Sequence, residues 1–189
     1  TTQDITVNVT DVSNEAAPEF TSSATFSAAE NQTAIGTVTA TDADGDTVTF
    51  TVSGSELEIT SGGVLTFASA PDYETKSTYT ATVTASDGTN STTQDITVNV
   101  TDVNDNSPVF TSSATFSAAE NQTAIGTVTA TDADGDTITY SISGSEIAIN
   151  SSTGVLTFAS APDYETKSTY TATVTASDGT NSTTQSITV

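Results

Sequence analysis

The feature that most constrains this chain is a long internal repeat. Residues 20–59 recur as residues 110–149 at a spacing of 90, and residues 64–98 recur as residues 155–189 at a spacing of 91. The extra residue lies where Asn150 to Gly154 replaces Thr60 to Gly63, a stretch whose composition predicts a turn. A repeat of this length is the size of a small domain, so the sequence predicts two similar domains in tandem rather than one large core.

The limits of the repeat predict how the chain is divided. Residues 1–12 match residues 92–103, so we expect them to be the last strand of a preceding repeat. The remaining divisions are a degenerate linker at 13–18, the first repeat at 19–101, a second linker at 102–108 and the second repeat at 109–189, which stops short of its own linker. Because Thr1 does not begin a signal peptide, we expect a piece of a longer protein.

Apolar residues alternate with Thr along much of the chain, as Val48, Phe50 and Val52 do. This period of two predicts half-buried β-strands, and no segment has the period of an amphipathic helix. We therefore expect an all-β sandwich. Seven strands are predicted in the first repeat, near residues 24–29, 35–41, 47–53, 57–61, 64–68, 78–86 and 92–101. The short turns between most of them predict that successive strands run in opposite directions.

Composition excludes several classes of function. The chain has 24 acidic and 2 basic side chains, a net charge of −22, and no Cys, His, Met or Trp. It therefore has no basic surface for nucleic acid or anionic membranes, no residues for an ordinary zinc site, and neither a thiol nucleophile nor an imidazole base. No apolar run approaches the roughly 20 residues that span a bilayer. We expect neither an enzyme nor membrane insertion of this segment.

The acidic residues sort to the two ends of a repeat when each strand reverses the one before. Glu30, Asp72, Glu74 and the linker Asp102-Val103-Asn104-Asp105-Asn106 fall at one end, and Asp42, Asp44 and Asp87 fall at the other. The second repeat's copies of Asp42, Asp44 and Asp87 are Asp132, Asp134 and Asp178. If the repeats stack end to end, these three acids face Glu30, Asp72, Glu74 and Asp105.

So many carboxylates at one junction would repel one another strongly, which predicts bound cations. Paired oxygens in extended backbone, such as Asp72 with Glu74 or Asp132 with Asp134, suit the 6 to 8 flexible ligands of calcium better than the octahedron of magnesium. Three divalent ions would nearly balance these charges.

Other readings of the same acids are weaker. Asp42 to Asp46 resembles the start of an EF-hand loop but has no flanking helices, and we expect Asp46 and Asp136 to be turn formers. The dipeptides at Asp87 and Asp178 are good turns without any metal. A glycosidase pair at Asp72 and Glu74 is disfavoured because both acids lie at one strand end.

Five motifs together resemble the cadherin repeat, particularly its bacterial cadherin-like version. They are "AEN" at 29–31, "TATDAD" at 39–44, "PDYE" at 71–74, "VTASDG" at 83–88 and "DVNDNSPVF" at 102–110, and the first four recur in the same order in the second copy. The resemblance implies seven-stranded Greek-key, immunoglobulin-like sandwiches arranged end to end, with about three calcium ions at the full junction. It implies two ions held by Glu30, Asp72, Glu74, Asp105, the Val103 carbonyl and Asp134, and a third held by Asn104, the Asn106 carbonyl, Asp132, Asp134 and Asp178.

The resemblance implies an extracellular or cell-surface role. We expect a calcium-stiffened extender or adhesion segment of a large bacterial surface protein. The alternative is a calcium-dependent module that recognises a polysaccharide or another cell, including another copy of this protein. The absence of Trp argues against adhesion by exchange of a Trp-anchored strand, but swapping through residues 1–10 remains an expectation. The sites at Asp42, Asp44 and Asp87 and at Glu120, Asp163 and Glu165 should be incomplete here.

Overall fold

The computed structural model describes residues 2–8 and 15–189. These residues form two compact units, unit 1 up to Asp102 and unit 2 from Val103 to Val189. No helix long and apolar enough to cross a membrane occurs in the described residues.

Unit 1 contains nine strands in its described part. They are β1 (Glu19–Phe20), β2 (Thr25–Ala29), β3 (Ala34–Thr37), β4 (Ala40–Thr41), β5 (Thr49–Val52), β6 (Leu57–Ile59), β7 (Val64–Phe67), β8 (Thr78–Ser86) and β9 (Ser91–Thr101). One sheet has the order β2-β9-β8-β5 and the other β3-β7-β6, while β1 pairs with β4. All pairs are antiparallel except the parallel pair of β2 and β9. This arrangement confirms the all-β Greek-key sandwich.

The core of unit 1 lies between the two sheets. On β9, Ile96, Val98 and Val100 are buried while the residues between them are more exposed, as the alternation predicted. Leu65 and Phe67 of β7 face them from the other sheet, and the ring of Phe67 meets Tyr79 edge-on at 5.0 Å.

The structure differs from the predicted strands near the start of the repeat. It adds β1, a two-residue strand too short to leave a sequence pattern, which pairs with β4 before the chain crosses to the other sheet at β2. The predicted strand at 35–41 is divided into β3 and β4, and the pairing of β3 with β7 shifts between Ala34 and Gly36. Gly36 leaves room at this shift for the ring of Phe26.

Unit 2 repeats this plan with eight strands. They are β10 (Val109–Phe110), β11 (Ala124–Thr127), β12 (Ala130–Thr131), β13 (Thr139–Ile142), β14 (Ile147–Ile149), β15 (Val155–Phe158), β16 (Thr171–Ser177) and β17 (Ser182–Thr188). Its sheets have the orders β11-β15-β14 and β13-β16-β17, and β10 pairs with β12. At the position that corresponds to β2, the described residues of unit 2 form one parallel bridge, Thr115 to Thr188.

Residues 2–8 form no strand, and Ile5 and Val7 in this segment are 82% and 77% exposed. The expected strand at 1–12 and the linker at 13–18 fall in part on Thr1 and residues 9–14, which lie outside the described residues. Strand swapping through residues 1–10 stays a prediction.

Candidate metal-binding sites

The base of unit 1, where β2 and β9 end, carries a compact acidic cluster. Glu30 follows β2 directly, and Asp72 and Glu74 lie in the turn between β7 and β8. Oxygen atoms of these three carboxylates lie within 4.8 Å of one another. Glu30 is only 3% exposed, and it is the one acidic or basic residue among the buried residues described. Its Oε2 accepts a hydrogen bond of 2.7 Å from the Tyr73 N–H.

Backbone bonds fix this cluster from both sides. The Glu30 N–H donates to the Thr101 carbonyl at 3.1 Å, so β9 holds the acid at the edge of its sheet. Asn31 follows with φ of 62° and donates its N–H to the Pro71 carbonyl. The left-handed conformation, which Asn tolerates better than most residues, turns the chain toward the loop that carries Asp72 and Glu74.

At the top of unit 2, the linker residues bind the loop after β12. Asp134 accepts hydrogen bonds from the N–H groups of Asp105 at 3.1 Å and Asn106 at 2.9 Å. Its other oxygen accepts from the Asn106 side chain at 2.7 Å. Asp134 therefore anchors the linker to unit 2, a role that its position in the sequence did not indicate.

Asn181 adds a second anchor that the sequence analysis missed. Its side-chain nitrogen donates to Asn104 Oδ1 at 2.8 Å and to the Asn106 carbonyl at 3.0 Å. The one signal in the sequence was its place three residues after Asp178 in a hairpin, where its N–H and that of Thr180 both donate to Asp178 Oδ1 at 2.6 Å.

Two carboxylate oxygens at this end of unit 2 are buried without a hydrogen-bond partner. They are Oδ2 of Asp132 and Oδ2 of Asp178. Desolvation raises the pKa of Asp178. Hydrogen bonds from the backbone of Asn181 and Thr180 and from the side chains of Asn181 and Asn104 together lower it by more than desolvation raises it. The net pKa lies below its ordinary value, so the carboxylate is charged at neutral pH.

A buried charged oxygen with no donor is costly, and a cation would remove that cost. The surrounding donors are carboxylate, amide and backbone oxygens, the set that calcium prefers. Asp136, expected to be only a turn former, also brings an oxygen within 4.8 Å of Asp132 and Asp134. The residues present therefore fit calcium.

Unit 1 carries the same arrangement at its top, where β8 turns into β9. Oδ2 of Asp42 and Oδ2 of Asp87 are likewise buried and lack partners. Asp44 accepts from the Ala16 N–H at 2.7 Å, and Asn90 donates to the Glu15 carbonyl at 2.9 Å. These contacts parallel those of Asp134 and Asn181, although the segment before Pro18 lacks the Asn-Asp-Asn sequence.

The base of unit 2 holds the remaining acids. Glu120, Asp163 and Glu165 bring oxygens within 4.8 Å of one another, but all three are exposed. The hydrogen bond from the Thr166 hydroxyl is the main cause that lowers the pKa of Asp163. The structure thus brings together Glu30, Asp72 and Glu74 in unit 1, and in unit 2 Asp132 and Asp134 at one end and Glu120, Asp163 and Glu165 at the other.

Comparisons with known proteins identify both units. The Cadherin domain family model matches residues 113–189, and a Bacterial Ig domain model matches residues 13–101. Human Cadherin EGF LAG seven-pass G-type receptor 2 is 36% identical over 92% of the chain, which spans 7% of that receptor. Human Protocadherin Fat 4 is 40% identical over 61% of the chain, which spans 3% of that protein.

Solved structures show the same fold. Mouse Cadherin-23 EC22-24 superposes with a TM-score of 0.76 at 25% identity, with 91% of this chain and 65% of that chain covered. Protocadherin gammaB7 EC3-6, solved as a cis-dimer, gives 0.80 at 24% identity, with 97% and 54% covered.

Cadherin domains are adhesion modules rather than enzymes and are known to bind calcium, and the cadherin homologues are extracellular or cell-surface proteins. The family-model match, the relatives and the structural neighbours all indicate the same family: the chain belongs to the cadherin family and consists of two cadherin repeats in tandem.

Proposed function

We propose that the chain is a calcium-stiffened extender or adhesion segment of a larger surface protein, with calcium bound around linker residues 102–108. The observation that carries this proposal is the pair of buried, unpartnered oxygens on Asp132 and Asp178 beside the linker residues Asn104 to Asn106. The Bacterial Ig match to the first repeat supports a bacterial surface protein as its source.

The acidic cluster of unit 1 supports the same proposal on electrostatic grounds. Two carboxylates about 4 Å apart repel by about 4 kcal/mol at an effective dielectric constant near 20. Glu30 is almost fully buried, and oxygens of two other carboxylates lie within 4.8 Å of one of its own. A divalent cation would offset the mutual repulsion of these three acids.

The proposed ligand set follows the family pattern on this chain's own residues. Two ions are assigned to Glu30, Asp72, Glu74, Asp105, the Val103 carbonyl and Asp134. A third is assigned to Asn104, the Asn106 carbonyl, Asp132, Asp134 and Asp178. Asp134 would then exchange its hydrogen bonds to the linker for metal contacts. Calcium would thereby restrict the motion of the linker between the two repeats.

Asp105→Ala tests this role of the linker. The Asp105 carboxylate contacts the Asn106 side chain at 2.9 Å and belongs to neither hydrophobic core. We expect the variant to lose most of the calcium-dependent increase in maximum dimension measured by small-angle scattering, while both repeats stay folded. An unchanged dimension for the native chain between millimolar calcium and chelator would refute the proposal, and cooperative unfolding of the variant would refute the role of Asp105.

A second candidate function is calcium-dependent binding of polysaccharide. One observation favours it, an open pocket of about 350 Å³ that occurs at the same place in both units and is lined by Ser, Glu, Asp and Thr side chains and by Tyr79 or Tyr170. Retention on insoluble polysaccharide in calcium but not in chelator would support this function. No retention, with monomers in sedimentation under both conditions, would favour a pure extender.

A further inference from the structure

The turn that carries Asp72 and Glu74 is held by contacts that involve no metal. The Lys76 N–H donates to the Asp72 carbonyl at 2.9 Å, which closes one helical turn. Thr75 donates its N–H and its hydroxyl to the two oxygens of the Asp72 carboxylate, at 3.1 and 2.9 Å. The conformation of the proposed ligand turn therefore depends on what holds Lys76 in place.

The side chain of Lys76 joins this turn to the sandwich. Its ammonium forms an ion pair with Glu56, which lies just before β6. The same nitrogen lies 4.4 Å from the centroid of the Tyr79 ring, within the range of a cation–π interaction. Tyr79 packs edge-on against buried Phe67. Lys76 thus connects the acidic turn to both sheets.

The same set of contacts occurs in unit 2. Lys167 pairs with Glu146 at 2.6 Å, lies 4.5 Å from the Tyr170 centroid, and donates its N–H to the Asp163 carbonyl at 2.9 Å. The chain has only two basic side chains among 189 residues, and both are placed in this way. In a chain of net charge −22, freely placed lysines would be expected to pair with many different acids.

We propose that Lys76 is a positioning residue for calcium, which fixes the turn of Asp72 and Glu74 against Tyr79 and Glu56 before the ion binds. This proposal rests on the proposed calcium function and adds the residue that holds the unit 1 ligands Asp72 and Glu74 in place before calcium binds. Groups held in their binding geometry lose less entropy when a ligand arrives, so the turn should bind calcium more tightly than a mobile one.

A positioning role for Lys76 and simple electrostatics predict opposite changes in calcium affinity when the lysine is replaced. Lys76 lies within four residues of both acids, so removal of its positive charge should by itself strengthen the binding of a cation. If the lysine positions the turn, Lys76→Met should instead weaken calcium binding, by roughly five-fold given the usual strength of exposed cation–π and ion-pair contacts. Lys76→Arg, which keeps the charge and the ring contact, should restore it.

Calorimetric titration of the 189-residue chain with calcium measures whether the affinity of Lys76→Met falls or rises. Lys167→Met makes the same change of charge in unit 2 and should alter binding less than about two-fold. Glu56→Gln should weaken binding as Lys76→Met does, because Glu56 is the ion-pair partner of Lys76. Glu58→Gln, two residues further along the chain in β6, removes the same charge and should not weaken binding. Equal or tighter binding by Lys76→Met, equal loss in Lys167→Met, or failure of Lys76→Arg to restore affinity would overturn the proposal.

Hydrogen exchange in chelator separates this proposal from the calcium function. Without metal, the N–H groups of Tyr73 and Lys76 should exchange at least several-fold faster in Lys76→Met than in the native chain, while core amides such as that of Val98 should not change. Unchanged exchange at Tyr73 and Lys76 would overturn the positioning role. If the native chain bound no calcium, the proposed function would fail while the exchange rates still decided whether Lys76 fixes the turn.

Discussion

Gly63→Ala should destabilise the first repeat by about 2 to 5 kcal/mol, the largest effect we expect from a single substitution. Gly63 has φ of +89°, and a Cβ there would lie 2.2 Å from the Val38 carbonyl oxygen and 3.3 Å from the Phe50 ring. A positive φ costs a non-glycine residue roughly 1–2 kcal/mol, and an overlap inside a packed core adds roughly 1–3 kcal/mol.

The backbone around Gly63 has little freedom to move away. Its carbonyl accepts from the Val38 N–H at 2.8 Å and its N–H donates to the Thr60 carbonyl at 2.9 Å. Val38 is fully buried in the core. A shift that relieves the overlap would break the bond that joins β3 and β4 to the turn before β7.

Gly54→Ala is the matched control for this substitution. Gly54 also has a positive φ, +83°, but no atom lies within 4 Å of the position that a Cβ would occupy. Gly54→Ala should lose only the conformational part, roughly 1–2 kcal/mol. Gly154→Ala, where the Cβ would lie 2.1 Å from the Val128 oxygen, should reproduce the large loss in the second repeat. Urea unfolding of the three variants measures these losses, and similar values for all three would contradict the steric explanation.

Removal of calcium should lower the thermal midpoint by roughly 10 °C or more. Extracellular modules typically bind calcium with dissociation constants of about 10⁻⁴ to 10⁻³ M. At about 10 mM calcium each site then stabilises the folded chain by roughly 1.4–2.7 kcal/mol. In a domain of fewer than about 100 residues, each kcal/mol shifts the midpoint by roughly 4–8 °C.

Scanning calorimetry in calcium and in chelator measures this shift. Magnesium at the same concentration controls for ionic strength and should give only a small part of it, because its rigid octahedral geometry suits these ligands poorly. Asp178→Asn keeps an oxygen in place but removes the charge of a buried acceptor, so it should lose part of the shift. The same midpoint in calcium and chelator would contradict calcium binding, and an equal shift with magnesium would contradict the assignment of the metal.

The strand plan could be predicted because turns and alternation are local properties of the sequence. Seven strands that reverse in turn must place the first and the seventh in the same direction, and β2 and β9 are indeed parallel partners. The two-residue strand β1 could not be predicted, because Glu19 and Phe20 leave no periodic pattern and depend on β4 for pairing.

The acidic residues of the site could be predicted from their spacing, but their surroundings could not. Nothing local to Glu30 indicates that it is 3% exposed or that the Tyr73 N–H binds it, since the two residues lie 43 positions apart. Asn181 was missed for the same reason, because its contacts with Asn104 and Asn106 span 77 and 75 positions.

The parallel pairing of β2 with β9 has a mechanical consequence. Because β2 lies near the start of unit 1, β9 is its last strand and the two are parallel neighbours, tension applied through the chain pulls them along each other. The hydrogen bonds between Thr25–Ala29 and Thr97–Thr101 are then loaded in shear, so they must break together rather than one at a time.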